Sequence, residues 1–300
     1  MKIFSGTSNK SLAEKLAEDL GLKLSDLEIF VFPDGEKRIT ILDKVLDEDT
    51  VVVESTSNPA DENYMQLFFI VDALKRSGAK SVTAIIPYLG YQRQDHVFRP
   101  GEAVSLEVIV KTLESTGVAR IITLDLHSVK IPELFHLPIK HLSAIPLFAE
   151  KIKEEKWNDK KTVLVSPDMG GIRRIKLLSE QLNGMPYISI EKNRDLSTGE
   201  VAASKINGEV LSRAIIVDDM ISSGKTISVA ADILRKHGVE EISVFATHPV
   251  FSDDASKILQ ESKTEKIYTT DTILIPGEKR FPKLEILSVS KMLAESIKSA

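Results

Sequence analysis

Arg213 to Thr226, R-A-I-I-V-D-D-M-I-S-S-G-K-T, is the stretch from which the fold can be read. Ala214 to Val217 is a short apolar run with β-branched stiffness, the pattern of a buried strand. Asp218 and Asp219 follow, then a small polar loop, Ser222 to Thr226, opening a helix-like segment that ends near Gly238. A strand that delivers carboxylates to its C-terminal end and passes through a loop into a helix suits an open α/β sheet, which binds ligands at that edge. Loop amides and a helix N-terminus suit a phosphate. The adjacent carboxylates can accept hydrogen bonds from vicinal sugar hydroxyls, so a sugar phosphate is the first ligand to suspect. The G-K-T ending is not a Walker loop, because the glycine required five residues before Gly224 is Asp219. The plainer reading of the same residues is a strand–turn–helix junction whose acidic pair caps the helix.

Outward from this stretch, short apolar runs alternate with amphipathic segments. Strands are expected at Lys2–Phe4, Glu28–Phe32, Thr50–Glu54, Ser81–Pro87, Arg120–Asp125, Thr162–Ser166, Tyr187–Glu191, Ala214–Asp218, Glu241–Thr247 and Lys266–Thr269. Helical spacing covers Leu12–Leu20, Asn63–Ser77, Leu106–Ser115, Ile172–Leu182, Ile227–His237, Asp254–Glu261 and Ser290–Lys298. This alternation predicts parallel-rich sheets with helices on both faces. A faint repeat pairs Val82–Arg93 with Val163–Arg173, and Ile121–His127 with Ile215–Ile221, at offsets of about eighty and about ninety residues. It implies two similar α/β halves, residues 1–145 and 146–300, with the last helix able to pack back on the first half.

Bulk properties set the limits. Three hundred residues allow one large or two ordinary domains. A hydrophobic content of 42%, a charged content of 28% and a net charge of −5 are ordinary for a globular protein, and nothing announces a nucleic-acid or membrane-surface partner. The absence of cysteine excludes disulfides, thiol catalysis and thiolate metal sites. No apolar run approaches the roughly 18 residues of a membrane span, and Met1-Lys2-Ile3-Phe4 leads straight into a strand-like start, so cytoplasmic residence is expected.

Five further segments carry candidate chemistry. Phe32-Pro33-Asp34-Gly35-Glu36 is either a turn closing a hairpin or a base-stacking aromatic with carboxylates for an adenine or its ribose. Arg93 and Gln94, in Gly90-Tyr91-Gln92-Arg93-Gln94-Asp95, suit a polyphosphate or base as well as a solvated loop. His127, closing Leu124-Asp125-Leu126-His127, stands at a strand end. Asp168, in Ser166-Pro167-Asp168-Met169-Gly170-Gly171, lies at a strand-to-helix turn and could hold Mg²⁺, which keeps several waters and bridges phosphate oxygens. Lys192 and Arg194 form a pair of cations at the root of a polar stretch running to about Glu209, suited to clamping an anionic substrate.

In this order, F-P-D-G-E, Y-Q-R-Q-D, D-L-H, S-P-D-x-G-G, E-K-x-R and V-D-D-M-I-S-S-G-K-T resemble the ribose-phosphate pyrophosphokinases, the phosphoribosyl pyrophosphate synthetases. The resemblance spans nearly the whole chain; one motif alone is weak, but six in sequence are very specific. It implies two phosphoribosyltransferase-like domains and a Mg²⁺-dependent transfer of the β,γ-diphosphoryl group of ATP to the C1 hydroxyl of ribose 5-phosphate. By motif position, Phe32, Asp34, Gly35 and Glu36 look like an ATP loop offered to a neighbouring subunit, with Arg93 and Gln94 as further ATP contacts and Arg93 and Phe32 flanking the adenine. His127 and Asp168 match metal positions, and Lys192 and Arg194 match the catalytic loop cations. Arg194, Asp218, Asp219, Ser222, Ser223, Gly224, Lys225 and Thr226 match the ribose-5-phosphate site. A homo-oligomer is implied, with dimer, tetramer and hexamer open. Many relatives have D-T-G-G-T where this chain has Ser222-Ser223-Gly224-Lys225-Thr226, so either Lys225 avoids positive φ or the loop shifts. Two other readings are a phosphoribosyltransferase, which would leave the first half unexplained, and a regulatory homologue without turnover, which would leave Lys192 and Arg194 unexplained.

Overall fold

A computed structural model describes residues 1–194 and 201–298; of residues 192–194 and 201–204 it describes the backbone alone. The chain divides into two compact units: Met1–Leu142 with Thr272–Leu274 and the C-terminal stretch from Ser288, and Ser143–Asp271 with Ile275–Leu287.

The first unit runs β1 (Lys2–Ser5), α1 (Lys10–Asp19), β2 (Leu27–Val31), β3 (Lys37–Ile41), β4 (Asp49–Val53), α2 (Ala60–Arg76), β5 (Ser81–Ile86), α3 (Ser105–Ser115), β6 (Arg120–Leu124) and β7 (Ile139–Leu142). Its sheet is parallel in the order β1-β4-β5-β6-β7, and a single parallel bridge from Leu24 to Ile3 extends it on the far side of β1. The chain therefore turns outward at β1 and back at β4, which makes a topological switch point between these two strands. β2 and β3 leave the sheet as an antiparallel hairpin. Helix α2 buries Tyr64, Leu67, Phe68, Ile70, Val71 and Leu74, the spacing of one helix face. Asp61 and Glu62 in its first turn and Lys75 and Arg76 in its last complement the helix dipole.

The second unit runs α4 (Ile145–Glu154), β8 (Thr162–Ser166), α5 (Ile172–Gln181), β9 (Tyr187–Arg194), β10 (Val201–Asn207), β11 (Arg213–Ile221), α6 (Lys225–Lys236), β12 (Glu241–Pro249), α7 (Ala255–Glu261), β13 (Lys266–Thr270) and β14 (Leu284–Leu287); α8 (Ser290–Lys298) closes the chain and packs on α1 in the first unit. The sheet order is β10-β9-β8-β11-β12-β13-β14, parallel except for the β9–β10 pair. Successive side chains of a strand face opposite sides. Val163, Val165, Ala214 and Ile216 enter one core with α6, while Leu164, Ile215 and Val217 enter the other with α4 and α5. Burial on both faces explains why these strands read as continuous apolar runs.

The expected α/β architecture with two similar parallel-rich halves is present, but the internal repeat is registered differently. Read along the sheets, β1 and β4 of the first unit hold the places of β8 and β11 in the second, and β5 and β6 those of β12 and β13. The Pro-Gly-Arg likeness of Val82–Arg93 to Val163–Arg173 therefore joins non-equivalent strands. Among the described residues, no helix is long and apolar enough to cross a membrane.

Candidate active site

β11 ends as its sequence requires: Ala214 to Val217 are fully buried, and Asp218 and Asp219 emerge at the C-terminal edge, beside the switch point between β8 and β11. The Asp219 amide donates to Asp218 Oδ1 at 2.9 Å. Arg174, from the first turn of α5, reaches across and donates through Nη1 to Asp218 Oδ1 at 3.3 Å, with Nη2 3.7 Å from Asp219 Oδ1. All three side chains are largely withdrawn from water, with exposures of 15% and 7% for the acids and 16% for the arginine, so the guanidinium serves as an internal counterion. Burial raises the Asp218 carboxyl well above the ordinary carboxylate range; the Asp219 carboxylate adds to the rise and Arg174 opposes it. Sequence reasoning missed Arg174, because its partner lies 44 residues along the chain. Arg174→Met is expected to destabilise the fold by about 1–3 kcal/mol through the uncompensated acidic pair. Thermal unfolding checks this, and an unchanged melting temperature would make Arg174 dispensable to the pair.

Beyond the acids, the loop is braced from behind. The Ser252 amide donates to the Ser222 carbonyl at 3.1 Å, and the two hydroxyls lie 3.0 Å apart. Gly224 takes positive φ at the N-cap of α6, where any side chain would be strained and its Cβ would press on Leu259. Lys225 is the first helical residue, exposed and outside the positive-φ set, so its side chain costs the loop nothing. Among the described residues, α6 has no side-chain hydrogen bond at its N-cap, Gly224. Its first-turn N–H groups are therefore left for an anionic partner, with the helix dipole behind them.

The Asp168 loop folds on itself. Asp168 Oδ1 accepts the amides of Gly170 and Gly171 at 2.9 and 3.2 Å, and the Ser166 hydroxyl donates to the Asp168 carbonyl at 2.7 Å. The residue is exposed, tethered through one carboxylate oxygen. Asp168 also adds to the rise of Asp218, which puts it within electrostatic reach of the acidic pair.

In the first unit, Phe32 to Glu36 is indeed a hairpin turn. The Gly35 amide donates to the Phe32 carbonyl at 2.9 Å, the Phe32 amide to the Glu36 carbonyl at 2.8 Å, and the Glu36 amide to Asp34 Oδ1 at 3.1 Å. The whole loop is exposed, and Phe32 packs edge-on against Phe30 at 5.0 Å. The guanidinium of Arg38 stands 5.0 Å from the Phe30 centroid and 5.8 Å from that of Phe32. Arg38 was not anticipated; it directly follows Lys37 at the start of β3. Arg93 is exposed and Gln94 half-buried, in a tight turn where the Gln94 amide donates to the Tyr91 carbonyl at 2.9 Å. His127 is exposed at the end of β6, its amide anchored by buried Gln92 through a 2.9 Å bond to Oε1.

Lys192 and Arg194 lie on the backbone of β9, opposite Ser204 and Val201 of β10; their side chains are outside the described residues. Among the described residues no group of three or more His, Asp, Glu or Cys side chains could hold a metal ion. Single donors such as Asp168 suit an ion carried mainly by water and phosphate oxygens, as Mg²⁺ is, rather than an all-protein cage.

The second unit thus has an acidic pair, a braced loop and an uncapped helix at a switch point, a site class suited to sugar phosphates. Comparison with known proteins agrees. Residues 1–117 match the N-terminal domain of ribose phosphate pyrophosphokinase, and residues 180–300 the phosphoribosyl synthetase-associated domain. A ribose-phosphate pyrophosphokinase of Fusobacterium nucleatum is 41% identical over 99% of this chain and 94% of its own length, and one of Thermosipho africanus is 38% identical over 99% and 93%. The crystal structure of phosphoribosylpyrophosphate synthetase from Mycobacterium smegmatis superposes with a TM-score of 0.93 at 33% identity, covering 99% of this chain and 97% of that one. The chain belongs to the ribose-phosphate pyrophosphokinase family.

Proposed function

We propose that this chain carries out its family's reaction, transfer of the β,γ-diphosphoryl group of ATP to the C1 hydroxyl of ribose 5-phosphate, as precursor supply for nucleotide biosynthesis, with the following residues in the following posts. The C1 oxygen attacks the β-phosphorus, the bond from that phosphorus to the α–β bridging oxygen breaks, AMP leaves with that oxygen, and the hydroxyl proton passes to water. Such chemistry asks little covalent work of a protein; it needs alignment and charge neutralisation.

The observation that carries the reading is the buried acidic pair beside an uncapped helix start. Amides of Ser223 to Thr226 receive the 5-phosphate, with Ser222 held in place by Ser252. Asp218 and Asp219 accept hydrogen bonds from the ribose diol. Lys192 and Arg194 neutralise charge growing on the phosphates, and Arg194 also faces the sugar phosphate. Phe32, Asp34, Gly35, Glu36, Arg93 and Gln94 hold the nucleotide. Asp168 and His127 would each give one ligand to Mg²⁺, which when bound offsets the polyphosphate charge. The apolar hairpin tip, with Phe30, Val31 and Phe32 exposed at 42%, 54% and 37%, favours a homo-oligomer in which this loop serves a neighbouring subunit's site. Cytoplasmic residence is the compartment consistent with these substrates.

Incubation with Mg-ATP and ribose 5-phosphate should give AMP and phosphoribosyl pyrophosphate in equal amounts. Base transfer without ATP would replace this reading with a phosphoribosyltransferase, and tight ligand binding without turnover would indicate a regulatory homologue. Asp218→Ala should raise the ribose-5-phosphate KM by about 10- to 100-fold, the cost of leaving a bound hydroxyl without its acceptor. A sugar-phosphate KM equal to that of the wild type would remove Asp218 from the site.

A further inference from the structure

Within the first unit, β5 and β6 pair in parallel, with Ile86 opposite Thr123. The turn carrying Arg93 and Gln94 and the strand end carrying His127 therefore emerge side by side. Each passes through a residue with positive φ, Tyr91 at 61° and Asp125 at 29°, a region that non-glycine residues seldom occupy. Residues persist there only where the surroundings over-determine them, and such positions cluster at ligand clamps. In the first turn, the Tyr64 hydroxyl of α2 donates to the Gly90 carbonyl at 2.9 Å, and the Gly90 amide donates to the Thr56 hydroxyl at 2.8 Å. The Tyr91 ring packs on Tyr64 at 6.0 Å, and its hydroxyl donates to Asp61.

The strand end is held differently. The Asp125 amide still donates to the Leu142 carbonyl of β7 at 2.9 Å, and there the backbone ladder stops. The next two amides go to side chains: Leu126 donates to His141 Nε2 at 2.9 Å, and His127 donates to Gln92 Oε1 at 2.9 Å. Gln92 is only 1% exposed, and its Nε2, buried with it, has no hydrogen-bond partner among the described residues. A buried amide group left half-satisfied is costly, and an apolar side chain would fill the same space without that cost. The half of Gln92 that is satisfied is the half that reaches His127.

We propose that Gln92 is a positioning residue for the metal–nucleotide site, fixing through the His127 amide the peptide that carries the imidazole. It rests on the reading of His127 as a Mg²⁺ ligand. Gln92 stands between Tyr91 and Arg93 in the chain, so the same side chain ties the imidazole to the nucleotide turn. A functional side chain must be held to within about 0.5 Å and 10–20° of its working geometry. A small rotation of the peptide at its root uses up that tolerance at the ring. Gln92 acts through His127 and not on the nucleotide itself.

The test is calorimetric titration of the protein with ATP, without ribose 5-phosphate, once in Mg²⁺ and once in EDTA. The ratio of the two dissociation constants measures how far the metal tightens binding. Gln92→Leu should cut that tightening about tenfold, the low end for groups that orient a metal ligand, and leave binding in EDTA as in the wild type. A merely structural glutamine would weaken both titrations alike, and that result, or tightening equal to the wild type, would overturn the assignment. Gln92→Asn keeps an amide in the space but is one methylene shorter; it should show the same loss, and it replaces the leucine variant should that one misfold. Hydrogen exchange on the metal-free protein adds a readout without ligand. The His127 amide should exchange slowly in the wild type and fast in both variants, and fast exchange in the wild type would also overturn the assignment. His127→Ala separates the two levels. If it keeps the full tightening by Mg²⁺, the metal reading of His127 is wrong and the role of Gln92 falls with it. If it loses the tightening while Gln92→Leu keeps it, the metal reading stands and Gln92 is no positioning residue.

Discussion

Lys192→Ala is expected to lower kcat by about two to four orders of magnitude, the range for removing a cation or donor that acts on the transition state of phosphoryl transfer. The same substitution should leave the melting temperature almost unmoved. The β9–β10 hairpin is held by its backbone ladder, in which position 192 faces Ser204 and position 194 faces Val201, and an alanine keeps every one of those hydrogen bonds. The two readouts pull apart the two possible roles. A transition-state cation moves kcat and spares stability, whereas a structural lysine moves stability and spares the rate per folded molecule. Pre-steady-state measurement of AMP formation on the enzyme tests this directly, because a slow product-release step would mask a chemical defect in kcat alone. If Lys192→Ala unfolds the protein at temperatures where the wild type is intact and the folded fraction turns over normally, the catalytic assignment is lost.

How far the sequence could be read depended on the range of each interaction. Ala214–Asp218 was legible because a buried parallel strand is apolar throughout and its carboxylates come at once after it. The Phe32–Glu36 turn was legible because Pro-Asp-Gly sets its own backbone. Arg174 was not, since nothing in Ile172-Arg173-Arg174 tells which arginine turns inward to meet a strand end 44 residues later. Edge strands were lost for a different reason: β7 and β14 are four residues each, partly exposed and without strict alternation. Helix α4 hid behind Pro146, the first residue assigned to the second half, although proline fits the first turn of a helix, where its missing N–H is not needed. The repeat was misregistered because local motifs can resemble one another anywhere, whereas equivalence belongs to sheet order, which is set by long-range pairing. Glu54 was read simply as the end of a strand; its burial under Gly6 depends on the β1 loop crossing it.

That burial gives a stability prediction of comparable size. The Glu54 carboxyl sits at about 8 in the folded protein against an ordinary value of 4.5, and burial is the main cause. Below pH 4.5 both folded and unfolded chains hold the proton, and the group does not affect stability. Between 4.5 and 8 the unfolded chain releases the proton while the folded chain keeps it, so stability falls as pH rises, by about 1.4 kcal/mol per unit. At pH 7 the accumulated cost is about 3 kcal/mol. Glu54→Gln keeps the shape and has no proton to lose, so it should be more stable than the wild type at pH 7 by up to that amount. This would raise the melting of the first unit by several degrees, at about 2–4 °C per kcal/mol for a domain of this size. The advantage should shrink toward zero as the pH is lowered to 4.5 and level off above 8. Differential scanning calorimetry at pH 4.5, 6, 7 and 8.5 follows the whole curve. A glutamine variant no more stable at pH 7, or one whose advantage is the same at every pH, would mean that the Glu54 carboxyl does not hold its proton in the fold between pH 4.5 and 8.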